Sequence, residues 1–250
     1  MITRGITVVT NMIKSVHVSL TIFHVFLFIS TSHAAPLKTL SLDFTRELTE
    51  NNKTEEIIGT LHYDVKAARV VVEVTKPLQQ IMIAKDKVLE IYYPIEKQAF
   101  RFLSEGRIPL PFVESIIQTT QAEYGLTTLG YTLHKHDVVD KVLFTYWNPP
   151  EKAKEKLGSI ILGMQDDKLI SAEIKNPKGQ IVARSSYKDH HKLGNFYVPM
   201  TVTSNSYGEK SKVVQQETIV YSNPLANVEP KNEILNFTIP ESVKVKVVKW

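Results

Sequence analysis

The sequence of 250 residues contains no cysteine. This absence excludes disulfide bonds, thiol nucleophiles, redox dithiols and cysteine-ligated zinc. It also excludes a lipid-anchored bacterial lipoprotein, because such a protein carries its lipid on a cysteine at the processed N-terminus. The fold must therefore be held by an apolar core alone, and the chain is long enough to form one.

Signatures of nucleic-acid binding and of common enzymes are also missing. The net charge is only +4, and two of the basic residues, Arg4 and Lys14, fall within the first 34 positions. No arginine cluster, P-loop, G-x-G-x-x-G or G-x-S-x-G motif occurs. We therefore predict no nucleic-acid partner, no cofactor and no catalytic residue, and a hydrolase with an unrecognised site is a minor alternative.

Histidine pairs are the metal-ligand candidates in this sequence. His134 and His136 are two residues apart on one face of a strand, and His190 and His191 follow Asp189. Neither group has an evident third ligand, so we predict exposed strand ends and no metal site.

The N-terminal segment has the pattern of a secretory signal. Ser15–Ile29 form a mostly apolar stretch after Lys14, and the small residues Ser32 and Ala34 make a cleavage site after Ala34. We predict a cleaved signal peptide over residues 1–34, with Met12 a better start than Met1, and an exported mature chain over residues 35–250. A retained membrane anchor is the less favoured alternative, because a spanning helix needs about 20 apolar residues.

The mature chain consists mainly of short apolar runs with strand period, each ended by turn residues or charge. Arg46 interrupts the apolar face of the first run. The spacing is too close for helical crossovers and favours an antiparallel meander. The predicted strands are Leu40–Leu48, Ile57–Val65, Arg69–Thr75, Gln80–Ala84, Val88–Tyr93, Gln98–Leu103, Tyr131–His136, Val138–Trp147, Ser159–Met164, Leu169–Lys175, Ile181–Tyr187, Phe196–Tyr207, Val213–Tyr221 and Leu235–Pro240.

One segment departs from strand period. After Pro109 and Pro111, apolar residues recur at helical spacing from Phe112 to Ile117. This pattern predicts a short amphipathic helix with prolines at its start. The predicted fold class is mainly β: a single large antiparallel sheet curled into a half-open barrel with a short helical lid.

The stretch Thr75–Gln98 carries a family resemblance. Its positions Pro77, Tyr92, Pro94 and Gln98 follow the T-x-P and Y-x-P-x-x-x-Q pattern of the LolA-type outer-membrane lipoprotein carriers, which this chain resembles. Weaker similarity extends over Leu40–Leu48, Gly59–Leu61 and Phe237–Val243. The chain departs from the family at Asp86 and Glu90, and at the turn where an arginine helps latch the lid. Lys66 and Arg69 are the candidates there, so the resemblance indicates a divergent member.

The resemblance implies a monomeric periplasmic carrier without a cofactor. Such a carrier takes acylated lipoproteins from an inner-membrane ABC release complex and passes them to an outer-membrane acceptor. An acyl chain of about 16 carbons resists entering water by on the order of 10 kcal/mol, so the carrier needs an apolar hollow.

Residues for this hollow and its lid follow from the strand and helix patterns. For each apolar residue, the alternative is that it belongs to the ordinary core. The alternation of apolar and polar residues does not show which face of the sheet each one occupies. The lid candidates are Leu110, Phe112, Val113, Ile116 and Ile117. The cavity candidates are Met82, Ile83, Ile91, Phe100 and Phe102.

Two further functions are compatible with the same predicted fold. The cargo could be another amphiphile such as a glycolipid, moved by a different exporter. The same sheet could also serve as a periplasmic sensor or interaction module that transports nothing.

Overall fold

The computed structural model describes residues 36–104, 111–228 and 231–249. These contain fourteen strands and one α-helix, α1, at Pro111–Thr119. Short 3-10 turns occupy Ala122–Gly125, Glu151–Ala153, Glu209–Ser211 and Lys231–Asn236. The strands are β1 Thr39–Glu50, β2 Lys53–Asp64, β3 Arg69–Lys76, β4 Gln80–Lys85, β5 Val88–Tyr93, β6 Gln98–Leu103, β7 Thr132–Val139, β8 Val142–Asn148, β9 Ile160–Gln165, β10 Lys168–Lys175, β11 Ile181–Leu193, β12 Phe196–Tyr207, β13 Val213–Ala226 and β14 Val245–Lys249. The predicted signal peptide, residues 1–34, lies outside the described residues.

All fourteen strands form a single sheet. Its order is β14-β6-β5-β4-β3-β2-β1-β13-β12-β11-β10-β9-β8-β7. Every neighbouring pair is antiparallel except β14 with β6, which is parallel. The sheet does not close, because β14 and β7 form its two ends. The predicted class, one large open antiparallel sheet with a short helix, is confirmed.

Asparagine and aspartate shape the tight hairpins. Asn51-Asn52, Asp140-Lys141 and Asp166-Asp167 each form a two-residue loop with positive φ at both positions. Such loops match the twist of the flanking strands, and Asn and Asp tolerate the left-handed region well. The expected break between His136 and Val138 is wrong, because the chain turns at Asp140 and β7 runs on to Val139.

Alternation gives the sheet two distinct faces. We call the face that carries Leu42 and α1 the inner face. Leu42 lies opposite Leu61 on β2, Leu61 opposite Val72 on β3, and Val72 opposite Met82 on β4. These residues belong to one buried cluster with the apolar side chains of α1. Cross-strand apolar pairs of this kind stabilise the sheet.

Gly59 allows a close approach within this sheet. It lies opposite Phe44 and Val74, and a Cβ added there would stand 2.3 Å from the Glu73 carbonyl oxygen and 3.1 Å from the Phe44 ring. The Glu73 carbonyl group and the Phe44 ring therefore occupy the space that a side chain at this position would need, which explains the glycine.

The C-terminal residues cover part of the opposite face of the sheet, which we call the outer face. Val71 and Ile83 pack against Ile234 and Phe237, and Tyr92 stacks on Phe237 with ring centroids 6.0 Å apart. The final strand predicted at Leu235–Pro240 is wrong. Its apolar residues pack on the face of the sheet, and Pro240 cannot donate to a ladder. The last strand is instead β14, at Val245–Lys249, which pairs with β6.

Candidate site on the inner face of the sheet

Helix α1 lies with its apolar side on the inner face. Val113, Ile116 and Ile117 are at most 1% exposed and share a cluster with Leu40 and Leu42 of β1. Spacing of three and four residues places these side chains on one side of the helix. Phe112 lies in α1, whereas Leu110 is outside the described residues. Val113, Ile116 and Ile117 thus pack where a lid over the inner face would lie.

A neutral hydrogen bond joins α1 to the sheet. The Ser115 hydroxyl lies 3.1 Å from the Tyr221 hydroxyl on β13, and either group can donate. Burial raises the pKa of Tyr221 strongly, and the bond to Ser115 opposes that rise only in part. Tyr221 therefore stays a neutral hydrogen-bonding group at physiological pH.

Four of the five cavity candidates share the inner face. Met82 lies opposite Ile91, and Ile91 lies opposite Phe100, so the apolar row continues across β4, β5 and β6 and becomes half-buried at Ile91 and Phe100. The Phe102 ring stacks near that of Phe100, with centroids 6.5 Å apart. Ile83 faces the other way, because it neighbours Met82 on β4 and packs against Ile234. Its assignment to the cavity is corrected accordingly.

Apolar side chains remain exposed on the inner face towards β7. Leu133 lies opposite Trp147, and Val138 lies opposite Leu143. Trp147 is buried, but Leu133 is 52% exposed, Val138 is 68% exposed and Ile174 on β10 is 41% exposed. The inner face thus combines a covered middle with exposed apolar side chains towards β7.

A charged pair interrupts this apolar face. The Arg46 Nε donates to the Glu217 Oε1 at 2.6 Å, between neighbouring strands β1 and β13, with both side chains about nine-tenths covered. A partly desolvated pair of this kind forms a strong, directed hydrogen bond. The sequence showed Arg46 as a break in the apolar pattern, but the partner lies 171 positions away.

The two latch candidates do not reach α1. Arg69 lies on the outer face, where its Nη2 donates to the Phe237 carbonyl oxygen at 2.5 Å. Its Nε is buried without a hydrogen-bond partner in the described residues. Lys66 is exposed in the turn between β2 and β3. Arg69 therefore holds the C-terminal segment, on the face opposite to α1, and its assignment as a lid latch is corrected.

The four residues that carry the family resemblance lie in and around strands β4–β6. Pro77 lies in the link between β3 and β4, Pro94 in the turn after β5, and Gln98 begins β6. Tyr92 is buried on the outer face against Phe237. These residues therefore shape the turns and hold the C-terminal segment, and none of them contributes to the inner apolar rows.

A polar network on the outer face was not predicted. The Ser41 hydroxyl lies 2.9 Å from the His62 Nδ1, and the His62 Nε2 lies 3.1 Å from the Glu73 Oε2. Ser41 and His62 are direct partners on β1 and β2, and both are buried. The network satisfies buried polar groups, as folded proteins require. Contacts between residues so far apart in sequence leave no local pattern.

Within residues 36–104, 111–228 and 231–249, no three His, Asp or Glu residues come together in a way that could hold a metal ion. In the same part of the chain, no helix has the length and apolarity needed to span a bilayer.

The architecture defines a class of protein: one large open β-sheet whose inner apolar face is covered by a short helix. The sequence matches no protein-family model and no curated protein. Solved structures do share the architecture.

Three such structures, each with a TM-score above 0.5, show the similarity. A LolA superfamily protein from Nitrosomonas europaea has 13% identity and a TM-score of 0.54, covering 79% of this chain and 90% of its own. A putative outer membrane lipoprotein-sorting protein domain from Vibrio parahaemolyticus has 9% identity and a TM-score of 0.56, covering 79% and 89%. A DUF1329 family protein from Desulfovibrio piger has 11% identity and a TM-score of 0.54, covering 81% and 91%. The chain therefore has the LolA-like fold.

We predict that Arg69→Met loosens the C-terminal segment and leaves α1 in place. The variant removes a charge-assisted hydrogen bond worth about 1.5–3 kcal/mol. Amide hydrogen exchange over residues 234–245 should therefore accelerate by about tenfold or more, with exchange over 113–119 unchanged. Lys66→Met is the matched control and should alter neither region. Faster exchange in α1 alone would contradict this assignment of Arg69.

We also predict an alkaline loss of stability in which Tyr221 takes part. Its pKa is raised in the folded state, so the unfolded chain loses this proton first as the pH rises above about 10. Folding stability should be unaffected by this group below pH 10 and should fall above it. Tyr221→Phe should reduce the drop in unfolding free energy between pH 8 and pH 11 by about 1 kcal/mol, measured by urea denaturation. An identical drop in both proteins would show that Tyr221 does not contribute.

Proposed function

We propose that this protein is an exported carrier that shelters the acyl chains of lipoproteins on the inner face of its sheet. The observation that carries the proposal is the packing of α1. A helix with Val113, Ile116 and Ile117 buried on an apolar sheet face occupies the surface that an acyl chain would need. The LolA-like fold supports the same function.

Helix α1 and an acyl chain gain similar free energies from burial on the inner face. Full burial of three aliphatic side chains on α1 contributes about 5–9 kcal/mol, at about 1.5–3 kcal/mol each. Burial of an acyl chain of about 16 carbons contributes on the order of 10 kcal/mol. An acyl chain can therefore displace the helix, and the helix can return when the chain leaves. Loading and release both require such a near balance.

Export and handover complete the proposal. The N-terminal pattern of residues 1–34 supports a cleaved signal peptide and a periplasmic location. The family resemblance supports an inner-membrane ABC complex as donor and an outer-membrane acceptor as recipient. Neither step requires a cofactor.

A second candidate is a carrier for an anionic amphiphile such as a glycolipid. Lys246 on β14 places its Nζ 5.4 Å from the ring of Phe100, an inner-face residue. A cation beside an apolar surface is suited to a lipid with an anionic headgroup. The departures from the family pattern at Lys66, Asp86 and Glu90 also leave room for a different cargo.

Identification of the native cargo tests the proposed function. The protein should be purified from the periplasm without detergent, and the extracted ligand should be analysed by mass spectrometry. Acylated peptides or lipoproteins would support the first candidate, and glycolipids would support the second. Recovery of protein without any lipid, together with no binding of a fluorescent fatty acid, would contradict both.

We predict that the inner face binds the acyl chain. Phe100→Gln should weaken binding of a fluorescent 16-carbon fatty acid by about three- to tenfold, because it removes partly exposed apolar surface from the inner face. Arg101→Gln changes the next residue, which pairs with Glu90 on the outer face, and should leave affinity unchanged. Thermal denaturation should show that both variants are folded. Equal loss in the two variants would argue against the inner face as the site.

A further inference from the structure

The segment Ala122–Gly125, which follows α1 in the chain, has an unusual backbone conformation. Glu123 has a φ of 50° and a ψ of 29°, Tyr124 has a φ of 55° and a ψ of 27°, and Gly125 has a φ of 74°. Residues other than glycine rarely adopt this left-handed region, because Cβ then crowds the following carbonyl oxygen. Glu123 and Tyr124 therefore carry backbone strain.

A hairpin does not account for this strain. In the described part of the chain, three other pairs of adjacent non-glycine residues have positive φ, and each closes a two-residue hairpin: Asn51-Asn52, Asp140-Lys141 and Asp166-Asp167. In those loops the twist of the flanking strands favours left-handed residues. Glu123 and Tyr124 close no hairpin, so the contacts at the two ends of their segment must impose the conformation.

Both ends of the segment are fixed while α1 covers the inner face. At the end of α1, Thr119 is buried and its hydroxyl donates to the Ile116 carbonyl oxygen at 2.7 Å. On the other side, the Tyr124 hydroxyl donates to the Met164 Sδ on β9 at 3.4 Å. Leu126 is 5% exposed and belongs to the same buried cluster as α1. The short connection between these anchors cannot relax while α1 stays in place.

We propose that Glu123 is the hinge of α1 and that its backbone strain favours displacement of the helix. The contact of Tyr124 with β9 holds the downstream side, so the chain changes direction at Glu123. When α1 leaves the inner face, the upstream end is released and Glu123 returns to a right-handed or extended conformation. The inference rests on the proposed function and deepens it, because strain released on displacement helps an acyl chain to replace α1.

Glu123 is a suitable position for a test of this strain. Its side chain is exposed and makes no hydrogen bond or ion pair with any other described residue. Glycine adopts the left-handed region about as readily as the right-handed one. Glu123→Gly therefore relieves the strain of the covered state without removing a side-chain contact. The greater freedom of glycine in the displaced state offsets only part of this gain.

Amide hydrogen exchange over residues 113–119 of the lipid-free protein measures how often α1 leaves the sheet. Glu123→Gly should slow this exchange by about three- to tenfold. Glu123→Ala removes the same charge but keeps Cβ, so it should leave the exchange unchanged. Ala122→Gly adds glycine at a neighbouring exposed position without a positive φ, and should accelerate the exchange by about two- to fivefold. A hinge that needed only flexibility would instead show faster exchange in both glycine variants.

Unchanged or faster exchange over 113–119 in Glu123→Gly would overturn the proposal. If the variant raised the free energy of unfolding in urea but left that exchange unchanged, the strain would persist after α1 moves and the hinge would lie elsewhere. Equal slowing in Glu123→Ala would also overturn it, because the effect would then come from the charge and not from the backbone.

Binding of a fluorescent 16-carbon fatty acid separates the hinge from the proposed function. Where α1 and the acyl chain compete, Glu123→Gly should weaken binding by the same factor by which it slows exchange. Slower exchange with unchanged binding would support the hinge and contradict the competition between helix and acyl chain. Weaker binding without slower exchange would overturn the hinge.

Discussion

The packing of α1 on the inner face is the interaction on which the rest of this structure depends. An open sheet with apolar side chains on both faces must have each face covered to be stable in water. Val113, Ile116 and Ile117 cover the middle of the inner face, and Ile234 and Phe237 cover part of the outer face. The two covers are local, so they leave an apolar margin exposed near β7.

Helix α1, which covers the inner face, and the C-terminal segment, which covers part of the outer face, are attached to the sheet in different ways. Ser115 and Tyr221 join α1 to the sheet by a hydrogen bond between neutral hydroxyls. The C-terminal segment is joined by the charged Arg69 and continues into β14, which is hydrogen-bonded to β6. A permanent cover on one face and an exchangeable cover on the other would give the sheet a single face for cargo.

Local patterns predicted much of this architecture, and distant contacts account for the rest. The bounds of β5, β6 and β12 match the prediction because strand period and turn residues are local signals. The helix followed from the spacing of Val113, Ile116 and Ile117. In contrast, the outward direction of Ile83, the bond from Arg69 to Phe237 and the pair of Arg46 with Glu217 depend on residues far apart in sequence. The tail was misjudged because Phe237 and Ile239 alternate like a strand but pack on a face.

The central claim is that an acyl chain and α1 compete for one apolar surface. A crystal structure of the protein loaded with an acylated peptide tests it most directly. The account predicts that the acyl chain lies along Met82, Ile91 and Phe100 on the inner face, with α1 displaced from its place beside Tyr221. An acyl chain found on the outer face beneath the C-terminal segment, or bound with α1 unmoved, would contradict the account.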